Sequence, residues 1–327
     1  MKLLTVSVAA YNVETYLDKC LASFADRRLA EGLEVLVIND GSTDRTAEIA
    51  ATYAAKYPDI FRVINKPNGG HGSTVNVGMR EASGKYFRVV DGDDWVNTEH
   101  LVTLLQQLAT IDTDLVVDKK RTVHLQTGVQ TPQPLPAGTP YGRPVPFRHF
   151  ACERYSEFYN LHTVMVNTAR LREWGVELRE GIFYVDFEFI LKVTAKAANV
   201  TFLRLDIYRY LIGNAAQSVD HRNYVRRIAH HRRMTEEVLR FAAEPHGARQ
   251  DYVDRRVCHL INTHYNIALI YNENRREGAA QAGDFRAFLK THYPRYAKMT
   301  KKRYAAARLL HRLGVGYEGL EKLRGRG

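Results

Sequence analysis

The chain has 327 residues, 45% of them apolar and 25% charged. That composition excludes a wholly disordered chain or a collagen-like fibre. No uncharged apolar run of about 18 residues is present, so no membrane-spanning helix is expected. The net charge of +11 is uneven: residues 221–327 carry 23 Lys and Arg against 10 Asp and Glu, whereas residues 1–220 carry 24 against 26. A basic last third is expected to face something anionic, such as a phospholipid surface or a lipid-linked phosphate. No recognisable nucleic-acid module accompanies it, so nucleic acid is not expected as a partner. Cys20, Cys152 and Cys258 lie far apart and form no CxxC, which argues against a disulfide framework or zinc knuckle and fits a reducing compartment.

The N-terminal stretch reaches Asn12 and Glu14 too early for a signal peptide, and residues 3–10 read instead as a short buried strand. Val13, Tyr16, Leu17, Leu21 and Phe24 recur at helical spacing and predict a helix over 12–29. A second strand at 34–38 ends at Asn39-Asp40-Gly41-Ser42. A helix follows from Thr43 to Tyr57, stopped by Pro58. A third strand (60–65) runs into a loop, Lys66-Pro67-Asn68-Gly69-Gly70-His71-Gly72, and then into a helix over 73–82. A fourth strand, Lys85–Val90, ends at Asp91. This β-α-β-α-β-α-β order predicts a mostly parallel sheet with helices on its faces. A further helix is expected over 101–110 and a strand over 114–118. Residues 127–149, rich in Pro and Gly, predict a long surface excursion. Residues 153–171 and 182–198 are helix-compatible, with a strand at 200–205, and from 221 onward the pattern is helical. Two domains are expected, 1–220 catalytic and 221–327 basic and helical.

Open parallel sheets bind ligands at the carboxyl ends of their strands. Tyr11-Asn12, Asn39-Asp40 and Asp91-Gly92-Asp93-Asp94 all stand at such ends, so three strand ends converge on one edge. Three carboxylates within four residues repel one another and favour a shared cation. Oxygen ligands suit Mg²⁺ or Mn²⁺, and Gly92 permits close ligand approach. An acidic turn closing a strand would use the same residues, but Trp95 follows at once and is an odd choice for a solvated turn. Asp40 can accept from a nucleobase or ribose, and Asp44 can cap the next helix. Gly69-Gly70-His71-Gly72 matches neither a P-loop nor GxGxxG.

Together these pieces resemble family 2 glycosyltransferases with the GT-A nucleotide-sugar-binding fold, over residues 3–220. The resemblance rests on Val6-Ser7-Val8-Ala9-Ala10-Tyr11-Asn12, Asn39-Asp40-Gly41-Ser42-Thr43-Asp44, and Asn68-Gly69-Gly70 ahead of Asn76 and Gly78. Ala82-Ser83-Gly84-Lys85-Tyr86 leading to Asp91-Gly92-Asp93-Asp94-Trp95 completes it. It implies a donor pocket from Ala10, Tyr11, Asn12, Glu14, Asp40, Gly70, His71, Asn76, Asp91, Gly92, Asp93 and Asp94. In it Asp40 reads uracil, and Asp91 and Asp93 form the DxD pair for Mn²⁺ or Mg²⁺. Farther on, Gly181 to Phe189 resembles the segment carrying the catalytic base. Val185 stands where the family usually has Glu, Asp186 falls at the base position, and Glu188 is the alternative. Gln217-Ser218 resembles a pair found in bacterial members that build surface polysaccharides.

The implied activity is an inverting transfer from a UDP-sugar to a hydroxyl of a glycan or lipid-linked acceptor. The implied location is the cytoplasm, peripheral at the inner face of the membrane. Over 301–313, Ala306, Leu309, Leu310 and Leu313 share one face and Lys301, Lys302, Arg308 and Arg312 lie towards the other, a basic amphipathic helix suited to such docking. Two other readings compete. A nucleotidyltransferase would want a glycine-rich first loop with a catalytic Arg or Lys, which 3–15 lacks. A non-catalytic nucleotide-sugar or anionic-surface binding protein would not need the Asp91/Asp93 pair.

Overall fold

The computed structural model describes residues 1–213 and 221–323. Gln217-Ser218 lies outside them. The chain forms two compact units. One comprises Met1–Gly181 and the stretch from Val185 to residue 213; the other comprises Ile182–Tyr184 and the helices that follow residue 220.

The first unit is built on ten strands: β1 (Leu4–Ala10), β2 (Leu33–Asn39), β3 (Phe61–Asn65), β4 (Tyr86–Asp91), β5 (Trp95–Val96), β6 (Leu115–His124), β7 (Gln130–Gln133), β8 (Pro144–Pro146), β9 (Val164–Asn167) and β10 (Asn199–Ile212). Their order is β3-β2-β1-β4-β9-β6-β10-β5, with β7 on β6 and β8 on β10. Strands β3, β2, β1 and β4 are mutually parallel. Strand β9 runs antiparallel between β4 and β6. The helices are α1 (Glu14–Ala22), α2 (Thr46–Lys56), α3 (His71–Glu81), α4 (Thr98–Leu108), α5 (Glu153–Ser156), α6 (Thr168–Glu173) and α7 (Val185–Lys196).

Strands β1 and β2 are buried on both faces, which explains their near-continuous apolar runs. Helix α4 shows the one-sided alternative. Asn97 caps it, accepting from the His100 N–H at 2.9 Å, and Leu101, Leu104, Leu105 and Leu108 form its buried stripe. Each such leucine contributes about 1.5–3 kcal/mol on burial.

The structure departs from the sequence reading at 153–171. That stretch holds two short helices and a strand rather than one helix. Val164-Met165-Val166 is a brief apolar run, and periodicity alone cannot tell such a strand from a buried helical turn. Strands β6 and β10 also run well past 118 and 205, because each extension pairs with the other. Their register shifts between Phe202 and Tyr208, a bulge that re-aims the second half of β10.

The second unit contains α8 (His221–Arg226), α9 (Ile228–Ala242), α10 (Gln250–Asn266) continued by a π-helical turn (Ile267–Tyr271), α11 (Arg275–His292), α12 (Pro294–Met299), α13 (Lys301–Arg312) and α14 (Tyr317–Leu323). Met234 and Val238 of α9 and Val253, Val257 and Leu260 of α10 are buried, as the helical stripes predict. No helix among the described residues is long and apolar enough to cross a membrane.

Candidate active site

The register of the parallel strands sets Ala10 beside Asn39, and Ala9 beside Asp91. The strand ends named from the sequence therefore do share one edge. Loops between them are cross-tied. Asn12, at φ +50°, accepts from the Thr43 N–H through Oδ1 at 2.9 Å, and its own N–H donates to Ser42 Oγ at 3.1 Å. The Glu14 N–H donates to Asp44 Oδ2 at 3.0 Å, and Glu14 Oε2 accepts from the Arg45 N–H at 2.9 Å. The side chains of Asn12 and Glu14 thus brace the β1–α1 turn against the β2–α2 turn. Tyr11 stands clear of this lattice, 51% exposed.

Asp40 is buried and fully engaged with the glycine loop. Its oxygens accept from the Gly69 and Gly70 N–H groups at 2.9 and 2.8 Å and from Lys66 Nζ at 2.5 Å. A carboxylate so used fixes the loop that opens α3. Asn76, also buried, donates to the Leu178 carbonyl at 2.9 Å and to Glu180 Oε1 at 3.0 Å, and accepts from the Leu178 N–H at 2.9 Å. Both ends of its amide hold residues 178–180 against α3. Gly72 lets them approach, since a Cβ there would lie 2.3 Å from the Arg179 carbonyl oxygen. The Gly181 N–H then donates to the Gly69 carbonyl at 2.7 Å. The segment leading to Asp186 is in this way folded back onto the glycine loop, although about a hundred residues separate them in sequence.

Asp91 closes β4 and is the hub of the charged cluster. His71 Nε2 donates to its Oδ1 at 3.0 Å, and His162 Nε2 faces its Oδ2 at 3.7 Å. Lys120 Nζ lies 2.9 Å from His162 Nδ1. The His162 ring is sandwiched by Tyr208 and Tyr210, with centroids at 4.7 and 4.4 Å. A buried pair beneath, Arg88 with Asp118 at 2.5 Å, also engages the His162 carbonyl through Arg88. Asp94 lies deeper, accepting from the Tyr208 hydroxyl at 2.6 Å and from the Leu211 N–H at 2.7 Å. The bulge in β10 and the pairing of β5 with it put Tyr208 in place for this. The Asp93 carboxylate accepts from its own backbone N–H.

The electrostatics follow from this geometry. Burial would raise the Asp91 carboxyl, but hydrogen bonds from His162 and His71 hold it well below the usual carboxylate range. Burial and then the Asp91 charge push Asp93 up to about 6. Burial, with Asp93 and Asp91 beside it, raises Asp94 strongly. For His71 burial acts downward, yet the bond to Asp91 prevails and the imidazole holds its proton more tightly than usual. Burial lowers Lys120 to about 8. Asp186, exposed in the first turn of α7, is near enough for its charge to act on His71, His162 and Lys120. Glu188, in contrast, is buried, paired with Lys192 Nζ at 2.6 Å, and accepts from the Arg179 N–H at 3.3 Å.

A divalent cation fits this donor set. Ligand atoms of Asp91, Asp94 and His162 lie within 4.8 Å of one another; Asp93, expected from the sequence as the second ligand, is not part of that group. The arrangement can hold a polyanion beside a cation at the N-terminus of α3, with an exposed carboxylate facing the same space.

Lys120, His162 and Tyr208 were not singled out from sequence.

Comparison with known proteins agrees with this architecture. The family model for Glycosyl transferase family 2 matches residues 5–172. The chain is 37% identical over 114 residues to the uncharacterized glycosyltransferase EpsJ of Bacillus subtilis, an alignment covering 35% of this chain and 33% of EpsJ. It is 26% identical over 285 residues to the uncharacterized glycosyltransferase YibD of Escherichia coli, covering 81% of this chain and 80% of YibD. The chain spans about a third of the length of the first curated relatives it matches. Among solved structures, S. aureus TarS 1-349 in complex with UDP-GlcNAc superposes with a TM-score of 0.65 at 21% identity, covering 97% of this chain and 93% of that one. That likeness establishes the GT-A fold. With the family match spanning more than half its length, the chain belongs to glycosyl transferase family 2.

Proposed function

We propose that the chain moves a sugar from a UDP-sugar to a hydroxyl of a glycan or lipid-linked acceptor in surface-glycan synthesis, with inversion at the anomeric carbon, at the cytoplasmic face of the membrane. The observation that carries this reading is the juxtaposition of Asp91, Asp93, His71 and exposed Asp186 at the ends of the parallel strands. The TarS complex with UDP-GlcNAc supports a uridine nucleotide in the same fold.

In this reading Asp186 accepts the proton of the acceptor hydroxyl as its oxygen bonds to the anomeric carbon. The bond from that carbon to the diphosphate breaks, and UDP leaves with the electron pair. Glu188 is unsuited to the task because Lys192 and a backbone N–H already occupy it. Tyr11 and the backbone at Ala10 border the uridine. The first turn of α3, opened by Gly70 at φ +80°, faces the diphosphate. The Gly70 and Gly92 N–H groups are taken by Asp40 and the Ala9 carbonyl. Gly92 serves close packing, since a Cβ there would lie 2.9 Å from the Ala9 oxygen. His71 stands ready to donate to a phosphate oxygen. Asp40, Asn76, Asn12 and Glu14 act one step back, shaping the loops. Asp94 holds Tyr208 and the end of β10. Bound by Asp91 and Asp93 with His162 close by, Mn²⁺ or Mg²⁺ would supply Lewis-acid stabilisation of the departing diphosphate.

Calorimetric titration with UDP, GDP and CDP, with and without Mn²⁺, tests the donor site. UDP is expected to bind best, to need the cation, and to lose that dependence in Asp93→Ala. Equal, metal-independent binding of all three would count against the reading.

A further inference from the structure

Helices α11 and α13 flank a groove of about 540 Å³. Arg286, Lys290, Lys301, Arg308 and Arg312 line it, and no carboxylate does. Five cations around one groove repel one another unless an anion lies between them.

Arg286 makes the demand specific. Its side chain is more than nine-tenths buried, and its Nη1 donates only to neutral hydroxyls, Tyr265 at 3.4 Å and Thr300 at 3.2 Å. Its guanidinium also lies 5.2 Å from the Tyr304 ring centroid, with Arg308 at 5.8 Å from the same ring. No carboxylate of a described residue pairs with Arg286. A buried guanidinium with neutral partners alone is costly, and an anion in the groove would offset that cost. Helix α13 carries the same imbalance. It opens on Lys301-Lys302-Arg303 with no acidic residue in its first turn, opposite to the preference of the helix dipole.

The apolar surface beside these cations identifies the anion's carrier. Helix α13 packs through Ala307, leaving Leu309 57% and Leu313 69% exposed one turn apart on the same face. Leu309 lines the groove with the arginines. A soluble phosphate or a phosphodiester polymer would satisfy the cations and leave both leucines in water. An anionic membrane satisfies both, with headgroup phosphates at the cations and the leucines at the acyl boundary.

We propose that the α11–α13 groove seats the phosphate headgroup of an anionic lipid and docks the chain on a negatively charged bilayer. The proposal is independent of the donor site, because its readout is vesicle binding rather than sugar transfer.

Flotation of the full chain with phosphatidylcholine vesicles, plain or doped with phosphatidylglycerol, tests it. Binding is expected only to the doped vesicles and is expected to weaken as salt rises. Reversing Arg308 and Arg312 to Glu, at exposed positions, lowers partition at least about tenfold, given about 1 kcal/mol for each basic residue at the surface. Leu309→Ser with Leu313→Ser lowers it too, while the circular-dichroism melt is unchanged. Arg286→Met, checked by the same melt, removes the buried charge. Three outcomes would overturn the proposal: equal binding to plain vesicles, wild-type binding by the Arg308/Arg312 variant, or capture of inorganic phosphate or a soluble phosphodiester polymer with no vesicle binding.

Discussion

Asn76 shows how much one buried amide does in this site. It makes three hydrogen bonds to residues 178–180, and those bonds hold the chain that enters α7. Asn76→Ala leaves the Leu178 N–H and carbonyl without their partner, an expected loss of about 1–3 kcal/mol. Because Asn76 acts through the placement of Asp186, the variant should lower turnover more than it lowers UDP affinity. Thermal melts together with nucleotide titration and turnover check this. Equal losses in affinity and turnover would make Asn76 a direct donor contact. Asp40 teaches the same lesson. Asp40 was legible from its position after a strand end, and Asn76, inside α3, only through the family resemblance. What the sequence did not reveal is that their polar atoms are consumed by loop backbone, because which N–H groups lack a partner is a property of the folded loop.

At the scale of elements, burial of histidines in the helical unit makes an acid-sensitive joint. His231 of α9 and His264 of α10 meet Nδ1 to Nδ1 at 3.2 Å, so one donates and the other accepts, and both are neutral. Burial lowers His231 to about 3 and His264 well below its ordinary value, the latter with help from the Arg232 charge and from repulsion between the two rings once His231 is protonated. Folded values below the unfolded value mean that protonation favours the unfolded chain. The stability this pair contributes is present above about pH 6.5 and is lost as pH falls below it, by up to about 1.4 kcal/mol per pH unit for each histidine. His264→Gln should flatten the pH dependence of urea stability below pH 6 by about one proton. An unchanged slope would mean that the pair titrates alike in both states. Helical stripes made α9 and α10 readable, but nothing in their spacing distinguished a histidine pair from two unrelated histidines. Residues 153–171 were harder still. Strand β9 is defined by insertion between β4 and β6, a long-range event with only a three-residue apolar run to signal it.

At the scale of the whole molecule, the alternation of strands and helices over the first 91 residues carried the fold, and the acidic run at the end of β4 carried the site's position. The other wall of the site is assembled by the long β6–β10 pairing, whose bulge sets Tyr208 under Asp94 while β6 supplies Lys120 to His162. Those residues come from segments without motif spacing, so only the register brings them together. The central claim joins the two walls: a nucleotide-sugar held at the strand ends, with Asp186 rather than Glu188 as base. Its most direct test is UDP release from a panel of UDP-sugars with Mn²⁺ and a glycan acceptor, for wild type, Asp186→Asn and Glu188→Gln. The account predicts turnover by the wild type and a loss of about 10²–10⁴-fold in Asp186→Asn with UDP affinity retained. It also predicts a much smaller change in any Glu188→Gln protein that remains folded. Wild-type turnover by Asp186→Asn, or its selective loss in folded Glu188→Gln, would contradict it.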